Sequence, residues 1–185
     1  MFVRRWMSSP AVSLAAEMPI QDALRFMEGR RIRHAAVVTP LGGVGIVTSN
    51  DLQRSLLSTG WTAVRRVVGD LLPEIPLSVL PDLPIERAVE VMLMNGVTGL
   101  PVVEARRLVG VITASDVFRA FTYVMGVCES GARLTLSVAE RADLLDILEE
   151  QSRGLVIRSL IVCPSPQGSL DVLMRVRGRK EISAA

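Results

Sequence analysis

The stretch Gly45–Asp51, which reads GIVTSND, returns 65 positions later as Gly110–Asp116, which reads GVITASD. Each version has a glycine, two apolar residues, and then a threonine with an aspartate three positions after it. The same offset places Val37–Val38 on Val102–Val103 without a gap. Because chance similarity rarely keeps one register over a whole unit, the offset indicates an internal duplication.

The apolar pattern in each copy predicts the order strand, helix, strand, strand, helix. Apolar residues at i, i+3, i+4 and i+7 begin at Ile20 and at Ile85, and short valine-rich runs follow them as predicted strands. A second helix is expected just after Thr48 and Thr113. We expect these second helices to bury Leu52, Leu56 and Leu57 in the first copy and Val117, Phe118 and Phe121 in the second. A unit this small covers only one face of its sheet, so the copies should pack sheet against sheet as one module.

The Thr-x-x-Asp spacing has two interpretations, which do not exclude each other. A threonine at a strand end, followed by a helix, places its hydroxyl beside free backbone N–H groups and so suits a phosphate. The aspartate lies one helical turn further on, where its two oxygens can accept hydrogen bonds from a ribose diol. The same spacing is also a capping box at a helix start. A purely structural or interaction module with empty clefts therefore stays open as an alternative.

Two pairs of segments resemble the tandem cystathionine-beta-synthase (CBS) domain pair: Arg33–Val38 with Gly45–Asp51, and Gly99–Val103 with Gly110–Asp116. The resemblance covers about residues 1–125, which divide into repeats at 1–61 and 62–125. It implies an α+β fold and a regulatory protein that senses an adenine nucleotide or related adenosyl ligand. AMP, ADP, ATP and S-adenosylmethionine are the candidate ligands, and no cofactor is required. The implied nucleotide-binding residues are Val12, Ser13, Arg33, His34, Ala36, Thr48, Asp51, Ser78, Gly99, Pro101, Thr113 and Asp116.

The two copies differ where proteins of this family place phosphate-facing basic residues. The first copy has Arg33–His34 and the second has Thr98–Gly99. Ala36 stands in the first copy where the second has Pro101. We therefore expect two unequal sites, with the first copy better suited to several phosphates, although family members also send such side chains to the neighbouring site. A solvated turn is the other interpretation of Arg33–His34.

The last third of the chain has a different pattern. Alternating apolar residues after Ala132 predict a strand, a helical pattern follows and ends by Gly154, and two strands are expected near Val156–Val162 and Leu170–Val176. The order resembles the first part of an ACT domain, as in acetoin-utilization-type CBS proteins, over residues 130–180. Glu140–Leu145 stands where that family has its ligand loop, with an aspartate in place of the glycine. The unit looks truncated, so we expect dimerisation or docking from it and no amino-acid binding.

Composition excludes several classes of function. The chain has 185 residues, 21 basic against 19 acidic, and one histidine. Near-neutral charge gives no general attraction to nucleic acid, and the absence of a signal core or long apolar run predicts a cytoplasmic protein without membrane contact. No metal site or catalytic constellation is predicted, and an enzyme regulated by the pair is the weakest hypothesis. The expected partners are an adenosyl small molecule, a second copy in a homodimer and an unidentified regulated protein.

Overall fold

The computed structural model describes residues 1–59, 66–127, 130–139, 145–146, 148–149, 154–166 and 168–178. The chain divides into two compact units, Met1–Phe118 and Arg119–Ala185. Among the helices within those ranges, none combines the length and the apolar character that a membrane crossing requires.

The first copy has the order of elements that its apolar pattern predicts, so that prediction is confirmed. Its elements are β1 (Ser13–Ala15), α1 (Ile20–Gly29), β2 (His34–Val38), β3 (Val44–Thr48) and α2 (Ser49–Thr59). Strand β1 runs parallel to β2, and β2 is antiparallel to β3. The core of this copy lies between the sheet and the two helices, because Met27, Val37 and Leu52 are all fully buried there.

The second copy repeats this arrangement with one difference. Its elements are α3 (Ile85–Asn95), β4 (Gly99–Glu104), β5 (Arg107–Thr113) and α4 (Ala114–Val124). The opening strand is reduced to a single bridge between Val79 and Val102. Two prolines remove ladder donors here, since Pro81 stands 65 positions after Ala16 and Pro101 stands 65 positions after Ala36. Ala16 N donates to Val38 O at 3.2 Å, whereas a proline has no N–H to make the corresponding ladder bond.

The opening segment of each copy packs on the other copy, which joins the two into one module. Val3 N donates to Leu83 O at 2.9 Å, and 65 positions later Val68 N donates to Met18 O at the same distance. Val3 and Val68 are both fully buried. The two sheets also meet, with β3 against β4 and β2 against β5, so the predicted packing of the two copies is confirmed.

Helix α2 corrects one prediction about its inward face. Leu52 is fully buried and Leu56 packs against the core, as expected, but Leu57 is 87% exposed. Leu52 and Leu56 are four residues apart and so share one face of the helix. Leu57 lies about 100° further round the helix, on the face that points away from the sheet.

Helix α4 corrects a second prediction, because Phe118 and Phe121 are 68% and 57% exposed. Asp116 and Ala120 are buried in their place, and Val117 is half-buried. The hydrogen bonds between Thr113 and Asp116 fix the rotation of the helix start, which turns the small Ala120 inward. The two phenylalanines are therefore left on the outer face.

The C-terminal unit contains the three predicted strands, which run antiparallel in the order β6–β8–β7. Their bounds are β6 Ala132–Val138, β7 Leu155–Pro164 and β8 Leu170–Gly178. Alternate residues of β8, among them Val172 and Met174, form a buried core with Val138. Residues 145–146 and 148–149 are helical, whereas Glu140–Leu144, most of the predicted ligand loop, lies outside the described residues. The ACT-like assignment stays a prediction.

Candidate functional site

Both Thr-x-x-Asp motifs share two hydrogen bonds where a strand ends and a helix begins. Thr48 donates to Asp51 Oδ2 from its backbone N at 2.9 Å and from its hydroxyl at 2.7 Å. Thr113 donates to Asp116 Oδ2 in the same two ways, at 2.7 and 2.8 Å. Asp116 is only 5% exposed, and Asp51 is half-buried. The capping bonds are thus present in both copies, and each uses Oδ2 of its carboxylate.

Three adjoining clefts lie at these helix starts. The Thr48 cleft, about 290 Å³, is lined by His34, Ile46, Thr48, Asn50, Asp51, Arg54, Gly96, Val97, Thr98 and Gly99. The Thr113 cleft, about 200 Å³, is lined by Ser8, Pro10, Ala11, Val12, Ile32, Arg33, His34, Val111, Thr113 and Ser115. The central cleft, about 310 Å³, is lined by Arg33, His34, Thr48, Ser49, Asn50, Thr98, Ala114, Ser115 and Phe118. Shared lining residues connect the central cleft to each of the other two.

An apolar slot of about 90 Å³ adjoins the Thr48 cleft. It is lined by Gly45, Ile46, Pro73, Pro76, Leu77, Val97, Gly99 and Leu100. The 65-residue offset relates this slot to the Thr113 cleft, since Leu77, Val97 and Ile46 correspond to Val12, Ile32 and Val111. Each copy therefore has an apolar recess of equivalent residues beside its Thr-x-x-Asp motif.

His34 lines all three clefts and reaches across to the second copy. Its Nε2 is hydrogen-bonded to Thr98 Oγ1 at 2.8 Å. Burial lowers the pKa of His34 below its ordinary value of 6.5, and the charge of Arg33 lowers that pKa further. Asp116 and Asp51 act in the opposite direction and raise the same pKa. The lowering influences are the larger ones, so the surroundings of His34 favour its neutral form.

Gly99 is required by this packing, because the His34 ring occupies the space beside it. A Cβ at Gly99 would lie 2.8 Å from His34 Cδ2 and 3.1 Å from Ile46 Cδ1. Both distances are shorter than normal carbon–carbon contacts. A side chain at this position therefore displaces the imidazole or the wall of the Thr48 cleft.

The structure brings together most of the sequence-predicted site residues, but not all of them. Val12, Arg33, His34 and Thr113 line the Thr113 cleft, with Asp116 bonded to Thr113. His34, Thr48, Asp51 and Gly99 line the Thr48 cleft. Ser13, Ala36, Ser78, Pro101 and Asp116 are absent from the linings of these clefts. Two of them serve the backbone, because Ala36 N donates to Val12 O at 3.0 Å and Pro101 O accepts from Val79 N at 3.0 Å.

Sequence reasoning missed several lining residues, among them Ser8, Ile32, Arg54 and Leu77. Leu77 had a usable signal, because it stands 65 positions after the predicted residue Val12. Ser8 had none, since it belongs to the opening segment that crosses to the other copy.

The family model of the CBS domain matches residues 3–58 and again residues 68–123. Together the two matches cover more than half of the chain. This chain belongs to the CBS domain family. The predicted tandem CBS domain pair is thereby confirmed, and its two members coincide with the two copies of the repeat.

Curated relatives of this CBS domain protein match it over part of their length. It is 27% identical over 109 residues to the mitochondrial CBS domain-containing protein CBSX3 of Arabidopsis thaliana, covering 56% of this chain and 53% of that protein. It is 26% identical over 121 residues to the L-aspartate semialdehyde sulfurtransferase of Methanocaldococcus jannaschii, covering 64% and 23%. The chain thus spans about half, or less, of these relatives. CBS domain pairs are generally regulatory, although some relatives are enzymes that carry the pair as one module.

Solved structures share the fold of this CBS domain pair. The pair of protein MJ0100, in complex with 5′-methylthioadenosine and S-adenosyl-L-methionine, has a TM-score of 0.58 at 24% identity, covering 65% of this chain and 95% of that one. CBSX2 in complex with AMP has a TM-score of 0.56 at 26% identity, with the same two coverages. Both complexes hold adenosyl ligands.

Proposed function

We propose that this CBS domain pair senses an adenine nucleotide or related adenosyl ligand in the Thr48 and Thr113 clefts and relays occupancy to a partner protein. The observation that carries the proposal is the repeated pairing of a Thr–Asp motif with an apolar recess and a shared basic side chain, His34. These groups suit the ribose, the base and the phosphate of one nucleotide. The AMP complex of CBSX2 supports the ligand class.

The two carboxylates are proposed to cap their helices and bind ribose at the same time. The capping bonds converge on Oδ2, and a carboxylate has four lone-pair positions on its two oxygens. Oδ1 of Asp51, in the wall of the Thr48 cleft, is the proposed acceptor for a ribose hydroxyl there. Asp116 has the equivalent role beside Thr113.

The base is proposed to lie in the apolar recess of each copy. In the Thr48 cleft this is the slot formed by Ile46, Leu77 and Val97. In the Thr113 cleft the equivalent side chains are Val111, Val12 and Ile32. Ligand pockets are commonly lined by apolar side chains, with a few polar groups that fix orientation. Ser13, Ala36, Ser78 and Pro101 then shape the sites through the backbone, without touching the ligand.

Calorimetric and thermal-shift titration with AMP, ADP, ATP and S-adenosylmethionine tests the proposal. The parent chain should bind at least one of these ligands, and Asp51→Asn and Asp116→Asn should each weaken one cleft. GMP is the matched control, because it has the same sugar and phosphate but a different base. If the parent binds none of the four adenosyl ligands, the pair is a structural module with empty clefts and the proposal is wrong.

We also propose that the protein is a homodimer and that helix α4 provides the contact. Phe118 and Phe121 are three residues apart on the outer face of α4, and both are more than half exposed. An isolated exposed apolar residue needs no explanation, but an aromatic pair on one helix face is typical of an interface. Sedimentation should show that Phe121→Glu produces monomers while Leu41→Glu, at a loop residue 95% exposed, does not. A monomeric parent would contradict this part of the proposal.

The C-terminal unit is proposed as a docking element, with the repeats bounded at 1–61 and 62–125 and the ACT-like segment at 130–180. Support comes from β7, an edge strand whose Leu160 and Val162 are about 40% exposed. Edge strands with exposed apolar side chains favour pairing with another strand.

The protein is proposed to be a cytoplasmic regulator without catalytic activity. Hydrolysis of ATP by the purified chain, abolished by a cleft substitution, would contradict that proposal.

A further inference from the structure

His34 and Gly99 occupy the same position in the two copies, as the first residues of β2 and β4. They are also in contact, since a Cβ on Gly99 would lie 2.8 Å from His34 Cδ2. The space between the two copies therefore has room for one side chain from this pair of positions. The imidazole of His34 fills that space, and Gly99 contributes only backbone.

The central position of His34 gives it access to both nucleotide clefts. It lines the Thr48 cleft, the Thr113 cleft and the central cleft that connects them. Its hydrogen bond to Thr98 Oγ1 orients the ring across the boundary between the copies. Arg33 differs in this respect, because it lines the Thr113 and central clefts but not the Thr48 cleft.

We propose that His34 is the single side chain that determines phosphate specificity in both clefts, so that phosphorylated ligands in the two clefts compete for one imidazole. This inference rests on the proposed function and adds a regulatory consequence to it. The first phosphorylated ligand uses the imidazole, and the second binds without it. An unphosphorylated adenosyl ligand, such as adenosine, makes no use of His34 and fills the clefts without this competition.

The charges around His34 make its protonation a reporter of phosphate binding. It faces Arg33 on its own side, Asp51 from α2, Asp116 from α4, and Arg54 across the Thr48 cleft. Burial and Arg33 hold its pKa below the ordinary value. A phosphate beside the ring favours the protonated form and raises that pKa, so phosphate binding takes up a proton. Affinity for AMP should consequently rise as the pH falls toward the pKa of free His34.

The experiment uses the fact that this is the only histidine in the 185-residue chain. In a tag-free protein the imidazole Hε1 proton gives one NMR resonance, and titrating it with pH yields the pKa of His34. The titration is repeated without ligand, with AMP and with adenosine, in the parent, Asp51→Asn and Asp116→Asn. Each variant lowers the AMP affinity of one cleft, so that at intermediate AMP concentrations only the other cleft is occupied. Calorimetry in two buffers of different ionisation enthalpy gives the number of protons taken up when each ligand binds to each protein.

AMP should raise the pKa of His34 in both variants, and adenosine should do so in neither. Proton uptake by the parent with both clefts filled should be smaller than the summed uptakes of the two variants. In the parent, the second AMP should bind about fivefold or more weakly than the first. This difference should disappear in His34→Gln, whose amide can still form a hydrogen bond with Thr98. If AMP binds both clefts but the resonance responds in only one variant, or the proton uptakes add, the shared role is wrong while the proposed function stands. If AMP binds neither cleft, the shared role of His34 in binding AMP is wrong, and if ADP, ATP and S-adenosylmethionine also bind neither cleft, the proposed function is wrong as well.

Discussion

Replacing Asp116 by asparagine and by alanine separates the capping role of this residue from its role in ligand binding. Thr113 donates two hydrogen bonds to Asp116 Oδ2, and the carboxylate is 95% buried. Alanine leaves both donors without their acceptor, which should lower the free energy of unfolding by about 2 kcal/mol. Asparagine keeps a carbonyl oxygen for Thr113 and loses the charge at the helix start, which costs about 0.3–1 kcal/mol.

For ligand binding, in contrast, Asp116→Asn should have a large effect. A charge-assisted hydrogen bond to a ribose hydroxyl is worth about 1.5–3 kcal/mol, so Asp116→Asn should weaken AMP about ten- to a hundredfold in the Thr113 cleft despite its near-normal stability. Urea unfolding followed by circular dichroism measures the stability, and calorimetry measures the affinity. Glu86→Gln is the matched control, because Glu86 is an exposed first-turn carboxylate of α3 that lines none of the clefts. Asp116→Asn with full AMP affinity would refute the ribose role, and a stable Asp116→Ala would refute the capping estimate.

Three further predictions concern packing and charge. Leu52→Ala should lower the free energy of unfolding by about 2–5 kcal/mol, whereas Leu57→Ala, on the exposed face of the same helix, should change it by less than about 0.5 kcal/mol in urea unfolding. Gly99→Ala should shift the His34 resonance and weaken AMP in the Thr48 cleft, because the new methyl group displaces the imidazole or Ile46; an unchanged resonance would contradict the contact. The pKa of His34 is lowered in the folded state, so the unfolded chain binds a proton at this residue more readily than the folded chain does. The contribution of neutral His34 to stability is therefore complete above pH 6.5. It is lost as the pH falls from 6.5 through the pKa of the folded state. His34→Gln should remove that segment of the pH dependence, and an identical pH profile would contradict it.

The features that the sequence predicts well are those that depend on neighbouring residues. The threonine and aspartate of Gly110–Asp116 are one helical turn apart, so their hydrogen bonds follow wherever a helix begins between them. The strands of the C-terminal unit were predictable for a similar reason, because alternation places Val172, Met174 and Val176 on one face of β8.

The features that the sequence predicts poorly depend on residues far apart in the chain. Phe118 and Phe121 have the spacing of an inward face, but they are 68% and 57% exposed, and Ala120 of the same helix is buried. The contact between His34 and Gly99 also cannot be predicted from the sequence of either copy alone, because it forms only when the two copies pack together. The asymmetry of the pair was visible in the sequence. That one imidazole borders both clefts was not.

A crystal structure of the chain with AMP is the most direct test of the account. We predict AMP in the Thr48 or Thr113 cleft, with its ribose hydroxyls within hydrogen-bonding distance of Asp51 or Asp116, its base in the adjoining apolar recess and its phosphate toward His34. AMP bound elsewhere on the chain would contradict the assignment of these clefts as AMP sites, and clefts that stay empty with AMP, ADP, ATP and S-adenosylmethionine alike would contradict their assignment as adenosyl-binding sites.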